Sequence, residues 1–113
     1  GAIVVVCTYG QIRASAVSST GITSNKWGHA ILDEAHLIKN NKSAAANACF
    51  SIKAMYRLAL TGTPVQNRVE ELWSLLNFVV PGILGTWSEY RSATVTPVRR
   101  AYISIPTFIY VTR

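Results

Sequence analysis

The chain has 113 residues, half of them hydrophobic, and eleven Lys and Arg against five Asp and Glu give it a formal charge of +6. This composition excludes a disordered segment and allows one domain with a modest core. No apolar run reaches the roughly eighteen residues needed to cross a bilayer, and the start lacks the basic region of a secretory signal, so no membrane partner is expected. The positive balance favours a polyanion such as nucleic acid. The basic residues are scattered, however, from Arg13 and Lys26 to Arg99 and Arg100, and a solvated surface would use them equally well.

The chain opens on Gly1 and runs directly into Ala2-Ile3-Val4-Val5-Val6, so residues 2–8 read as a buried strand without a preceding partner, which has the character of a fragment. Residues 11–26, rich in Ser and Thr, read as a surface loop. Residues 29–32 and 56–60 are further short apolar runs, near-continuous as in strands covered on both faces. Between them residues 43–53 carry good helix formers behind a capping Ser43. Strand, helix, strand is the order that builds a parallel sheet, so the fold class is α/β. A second helix begins at Asn67, with Glu70 three residues on as in a capping box; Leu72, Leu75, Leu76 and Val79 form its apolar face, and Pro81-Gly82 stops it. Cys7 and Cys49 have no companions at metal-ligand spacing and read as core thiols.

Chemistry is concentrated where the apolar run Ala30-Ile31-Leu32 ends in Asp33-Glu34-Ala35-His36. Ligands of an open parallel sheet bind beyond the carboxyl ends of its strands. A carboxylate there can hold a magnesium ion through water, and its neighbour can orient or deprotonate an attacking water. The same acids could instead end a strand and cap the next element. His36 alone reads equally as a hydrogen-bonded structural residue, and Thr61-Gly62-Thr63-Pro64 alone as a turn.

Taken together, Asp33-Glu34-Ala35-His36-Leu37-Ile38-Lys39-Asn40, Leu60-Thr61-Gly62-Thr63-Pro64-Val65-Gln66-Asn67 and Glu71-Leu72-Trp73-Ser74-Leu75-Leu76-Asn77-Phe78 resemble the Swi/Snf family of superfamily-two helicase-like ATPases. The resemblance runs from about Val4 to Arg91, and the Ile38-Lys39-Asn40 ending separates this family from helicases that share only the first four letters. It implies part of the first RecA-like (P-loop NTPase) lobe of a nuclear motor that uses ATP and magnesium to move along double-stranded DNA and remodel nucleosomes or other DNA-bound proteins. Asp33 would then coordinate magnesium, Glu34 would activate water, and His36 would link the nucleotide site to Thr61, Gly62 and Thr63. Thr8 and Tyr9 would lie along the DNA strand, and Lys39, Asn40, Gln66 and Asn67 could reach its phosphates.

A triphosphate is cradled by Gly-x-x-x-x-Gly-Lys-Ser/Thr, and no Gly-Lys pair occurs in the chain. In the family that loop lies upstream of the segment matching Val4, so its absence is expected to reflect truncation. The resulting expectation is a lobe fragment over residues 1–91 and a divergent tail over residues 92–113, whose β-branched composition suits an edge strand broken by Pro97 and Pro106. The alternative is a catalytically inert product or binding module.

Overall fold

The computed structural model describes residues 1–19, 21–62 and 69–95. In chain order they form α1 (Tyr9–Ser18), β1 (Lys26–Leu32), a 3-10 turn (Ala35–Ile38), α2 (Ala44–Phe50), β2 (Lys53–Ala59), α3 (Val69–Val79) and α4 (Trp87–Val95). As the strand-helix-strand order requires, β1 and β2 are parallel, with His29 opposite Tyr56 and Leu32 opposite Ala59. Backbone bonding continues past both strand ends. The Leu60 N–H donates to the Leu32 carbonyl and the Ala35 N–H to the Leu60 carbonyl, each at 2.8 Å. These two bonds hold the turn after β1 against the turn after β2, and so place two distant sequence motifs side by side.

α1, α2, α3 and the 3-10 turn share one core with the sheet, in which Ile12, Leu32, Ile38, Cys49, Leu75 and Phe78 are buried together. Cys49 is fully buried and Cys7 half-buried against the same cluster, so the thiols are placed much as their isolation in the sequence implies. Ser43 caps α2 as expected, its Oγ accepting from the Ala46 N–H at 3.1 Å. α3 ends at Val79, ahead of Pro81, and Gly82 takes the left-handed conformation (φ +83°) that turns the chain. Arg57 secures that end of α3: its guanidinium donates to the Phe78 carbonyl at 3.2 Å and to the Ile52 carbonyl at 2.6 Å, and stands 5.5 Å from the Phe78 ring. α4 docks on α3 through Trp73 and Trp87, whose ring centroids are 5.8 Å apart.

Five expectations are corrected. Residues 2–8 form no strand, because a strand needs a bonded neighbour and none of the described residues supplies one; Ile3, Val4 and Val6 are largely exposed. Residues 11–18 are helical, within α1, rather than loop. Their start is fixed by a capping box in which the Thr8 side chain accepts from the Gln11 N–H at 3.1 Å and the Gln11 side chain accepts from the Thr8 N–H at 2.8 Å. The sheet is covered on one face only among the described residues: His29 and Tyr56 stack on the other, beside exposed Ile31 and Leu58. The buried stripe of α3 is Trp73, Ser74, Leu75 and Phe78, with Leu72, Leu76 and Val79 half-buried. Residues 92–95 extend α4 instead of opening an edge strand, while the rest of the tail and the Asn67 cap lie outside the described residues.

Candidate active site

Asp33 follows β1 directly, at the carboxyl end of the sheet, and its side chain is exposed. Its Oδ1 accepts from the Glu34 N–H at 2.9 Å. Glu34 then adopts φ +51° and ψ +48°, a left-handed conformation that costs a residue with a Cβ about 1 to 2 kcal/mol. Such conformations persist where surrounding bonds over-determine them, and they cluster at functional sites. Here the outcome is directional, because Glu34 is turned back toward His36 on the 3-10 turn.

His36 Nδ1 is the point of convergence. Glu34 Oε2 lies 3.3 Å from it and Thr61 Oγ1 3.5 Å. Nδ1 can donate to the Glu34 carboxylate or accept from the Thr61 hydroxyl, according to the tautomer of the ring. Thr61 is buried, with 4% of its surface exposed, and is held in place by the backbone bonds at Leu60. Gly62 is exposed beside it. Thr63, Gln66 and Asn67 lie outside the described residues, so the structure brings together Asp33, Glu34, His36 and Thr61 from the sequence-derived set.

Thr8 and Tyr9 sit at the start of α1. Thr8 is exposed and serves as the helix cap. The Tyr9 hydroxyl donates to the Asp33 carbonyl at 2.6 Å, a contact from α1 to the acidic turn that the sequence did not suggest. Burial first, then the neighbouring Cys49, Asp33 and Glu34, push the Tyr9 phenol well above its ordinary pKa. Lys39 and Asn40 are exposed at the far end of the 3-10 turn. Ser74 on α3 fixes that end by donating to the Lys39 carbonyl at 3.1 Å, and Asn40 Oδ1 accepts from the Lys42 N–H at 2.9 Å. Ser74 was also missed; a serine amid Trp73, Leu75 and Leu76 was its sequence signal.

For magnesium, the donor chemistry fits a weakly attached, water-clad ion: Asp33 offers one exposed carboxylate, and no cluster of three or more His, Cys, Asp or Glu exists among the described residues to form a closed cage.

The sequence pattern of the SNF2-related domain matches residues 2–105. Among curated proteins, the chain is 40% identical over 98 residues to the TATA-binding protein-associated factor BTAF1 of Arabidopsis thaliana, covering 87% of this chain and 5% of that protein. It is 44% identical over 77 residues to MOT1 of Saccharomyces cerevisiae (68% and 4%), and 38% identical over 95 residues to the DNA repair and recombination protein RAD26 of the same yeast (84% and 8%). The chain therefore spans a small part of these relatives. Among solved structures, the Sulfolobus solfataricus SWI2/SNF2 ATPase core in complex with double-stranded DNA superposes with a TM-score of 0.69 at 35% identity, over 82% of this chain and 19% of that one. The chain belongs to the SNF2-related domain family, as part of its RecA-like ATPase lobe.

Proposed function

We propose that this chain contributes the water-activating and coupling half of a motor lobe in which ATP hydrolysis drives movement along double-stranded DNA. The observation that carries this reading is the convergence of Glu34 and Thr61 on His36 beside the exposed carboxylate of Asp33. Asp33 would hold magnesium through water, and the ion would supply charge neutralisation to the phosphates. Glu34, aimed by its left-handed turn, orients the attacking water and takes its proton. His36 passes the state of that acid to Thr61, and through Gly62 and Thr63 to the DNA-facing segments. Thr8, Tyr9, Lys39, Asn40, Gln66 and Asn67 are the candidate contacts to the duplex.

The working unit comprises residues 1–91, with residues 92–113 as an appended tail, in a nuclear protein acting on nucleosomes or other DNA-bound proteins. The solved neighbour's duplex DNA supports the partner, and the TATA-binding protein-associated relatives support the compartment. The 113 residues contain no Gly-Lys phosphate cradle, so hydrolysis needs residues outside them. This favours a second reading for the chain by itself, an inert product or binding module.

The test is Glu34→Gln in the full-length protein. ATP binding is expected to persist, because Asp33 keeps its charge, while DNA-stimulated hydrolysis is abolished. Equal loss of nucleotide binding would show that the two acids have been assigned the wrong roles.

A further inference from the structure

We infer that Tyr9 is a positioning residue for the water-activating acid, acting through the peptide bond between Asp33 and Glu34. That peptide is gripped from both sides. Its carbonyl accepts from the Tyr9 hydroxyl at 2.6 Å, and its N–H donates to Asp33 Oδ1 at 2.9 Å. Together the two bonds fix the plane of the peptide, and the plane sets the φ of Glu34 at +51°. A glutamate released from such constraints returns to negative φ, the conformation its Cβ prefers. The peptide then rotates, and the carboxylate swings away from His36 Nδ1, 3.3 Å distant in the gripped state.

The grip reaches across the fold, since 24 residues separate Tyr9 from Asp33. Tyr9 is also the first residue of α1, next to the capping Thr8, and α1 packs on α2 through buried Ile12. A displacement at Thr8 is therefore transmitted by one rigid helix start to the carbonyl of Asp33. This inference rests on the motor reading for its kinetic consequence, and gives DNA engagement a route to the hydrolytic acid other than the one through Thr61 and His36. It gives Tyr9 a use inside the fold: the ring packs against the core, and the hydroxyl serves the acidic turn.

The experiment compares wild type with Tyr9→Phe in the full-length protein, measuring ATP hydrolysis against ATP and against duplex DNA, and hydrogen exchange by peptide in the absence of nucleotide. Removing only the hydroxyl is expected to lower kcat at saturating DNA about fivefold, on the scale of one hydrogen bond. KM for ATP and the DNA concentration giving half-maximal rate are expected to stay unchanged. Exchange is expected to quicken in the peptide spanning residues 33–36 and not in the peptide covering α3. A defect confined to DNA half-saturation, or an unchanged kcat with unchanged exchange, overturns the inference. Should the wild type show no DNA-stimulated hydrolysis, the motor reading falls, and the exchange comparison still decides whether Tyr9 holds the turn.

Discussion

Thr61 Oγ1 lies 3.5 Å from His36 Nδ1, although 25 residues separate the two in the chain. The register of a two-stranded parallel sheet achieves this, extended by one hydrogen bond past each strand. The imidazole thus stands between the Glu34 carboxylate, proposed to activate water, and a hydroxyl in the segment after β2.

If His36 transmits rather than catalyses, His36→Ala in the full-length protein should spare ATP binding and reduce the stimulation of hydrolysis by DNA. The contacts removed are a long hydrogen bond to the Thr61 hydroxyl and a part-exposed contact to Glu34, together worth about 1 kcal/mol, so a loss of roughly threefold to tenfold is expected. Stimulation equal to wild type would take His36 out of the coupling path.

Thr8 has two uses to be told apart, a helix cap seen in the geometry and a contact to DNA proposed from the family. Thr8→Ala removes the cap and should cost α1 about 1 kcal/mol. Thr8→Asp keeps a capping oxygen but places a negative charge where a phosphate is proposed to lie. It should therefore leave the helix intact while weakening duplex binding several-fold, most clearly at low salt, where phosphate contacts count most. Unchanged affinity of the Asp variant would remove Thr8 from the DNA interface and leave it as a cap alone.

How far the sequence could be read depended on whether the determining interaction was local. Ser43 and Pro81 act on their own helices, and both did what their chemistry dictates. Asp33 was legible as a strand-end acid because an apolar run stops at it. Residues 2–6 look like a strand by composition, but pairing is a property of two segments and composition reports only one. The start of α1 carries a local signal, since Thr8 and Gln11 have capping-box spacing, but the serines that follow suit a loop equally well. On α3 both candidate stripes are apolar, so periodicity could not choose between Leu72-Leu76-Val79 and Trp73-Phe78. The buried stripe is set by what α3 packs against, with Phe78 and Leu75 in the shared core and Ser74 meeting the Lys39 carbonyl, 35 residues away. The link from Tyr9 to Asp33 is of the same non-local kind.

The thiols give a pH-dependent expectation. Burial, and then the proximity of Cys7, raise the Cys49 thiol from 9.0 to about 11. A raised thiol is protonated and unreactive when folded, so below pH 9 it places no ionisation penalty on the native state. Above that, the unfolded chain ionises first and native stability falls, until the folded thiol titrates in turn. Alkylation of the native protein at pH 8, followed by peptide mass, should modify Cys7 well before Cys49. Equal rates at the two sites would mean that the core around Cys49 opens on the timescale of the reaction.

The last prediction concerns the 113-residue chain expressed alone. Ile3, Val4 and Val6 are 82%, 84% and 91% exposed, and Ile31 and Leu58 stand in solvent on the open face of the sheet. Apolar area left in water forgoes about 25 cal/mol for each square ångström, and a domain stable by only about 5 to 15 kcal/mol cannot forgo much of it. The sheet, two-stranded among the described residues, also offers two edges there, each a template for another chain. The isolated chain should therefore self-associate or remain molten, and become monomeric when the rest of its lobe is supplied. The exposed face allows a sharper check, because Ile31→Lys should act with opposite sign in two settings. In the isolated chain the added charge meets water and should raise the concentration at which association begins. In the full-length protein, where parallel sheets are covered on both faces, the same charge would be buried and should destabilise the lobe. Light scattering of the short chain and thermal inactivation of the full-length variant measure the two effects. A monodisperse monomer with a sharp cooperative transition, indifferent to Ile31→Lys, would mean that these residues are self-sufficient and that the open face is a true surface.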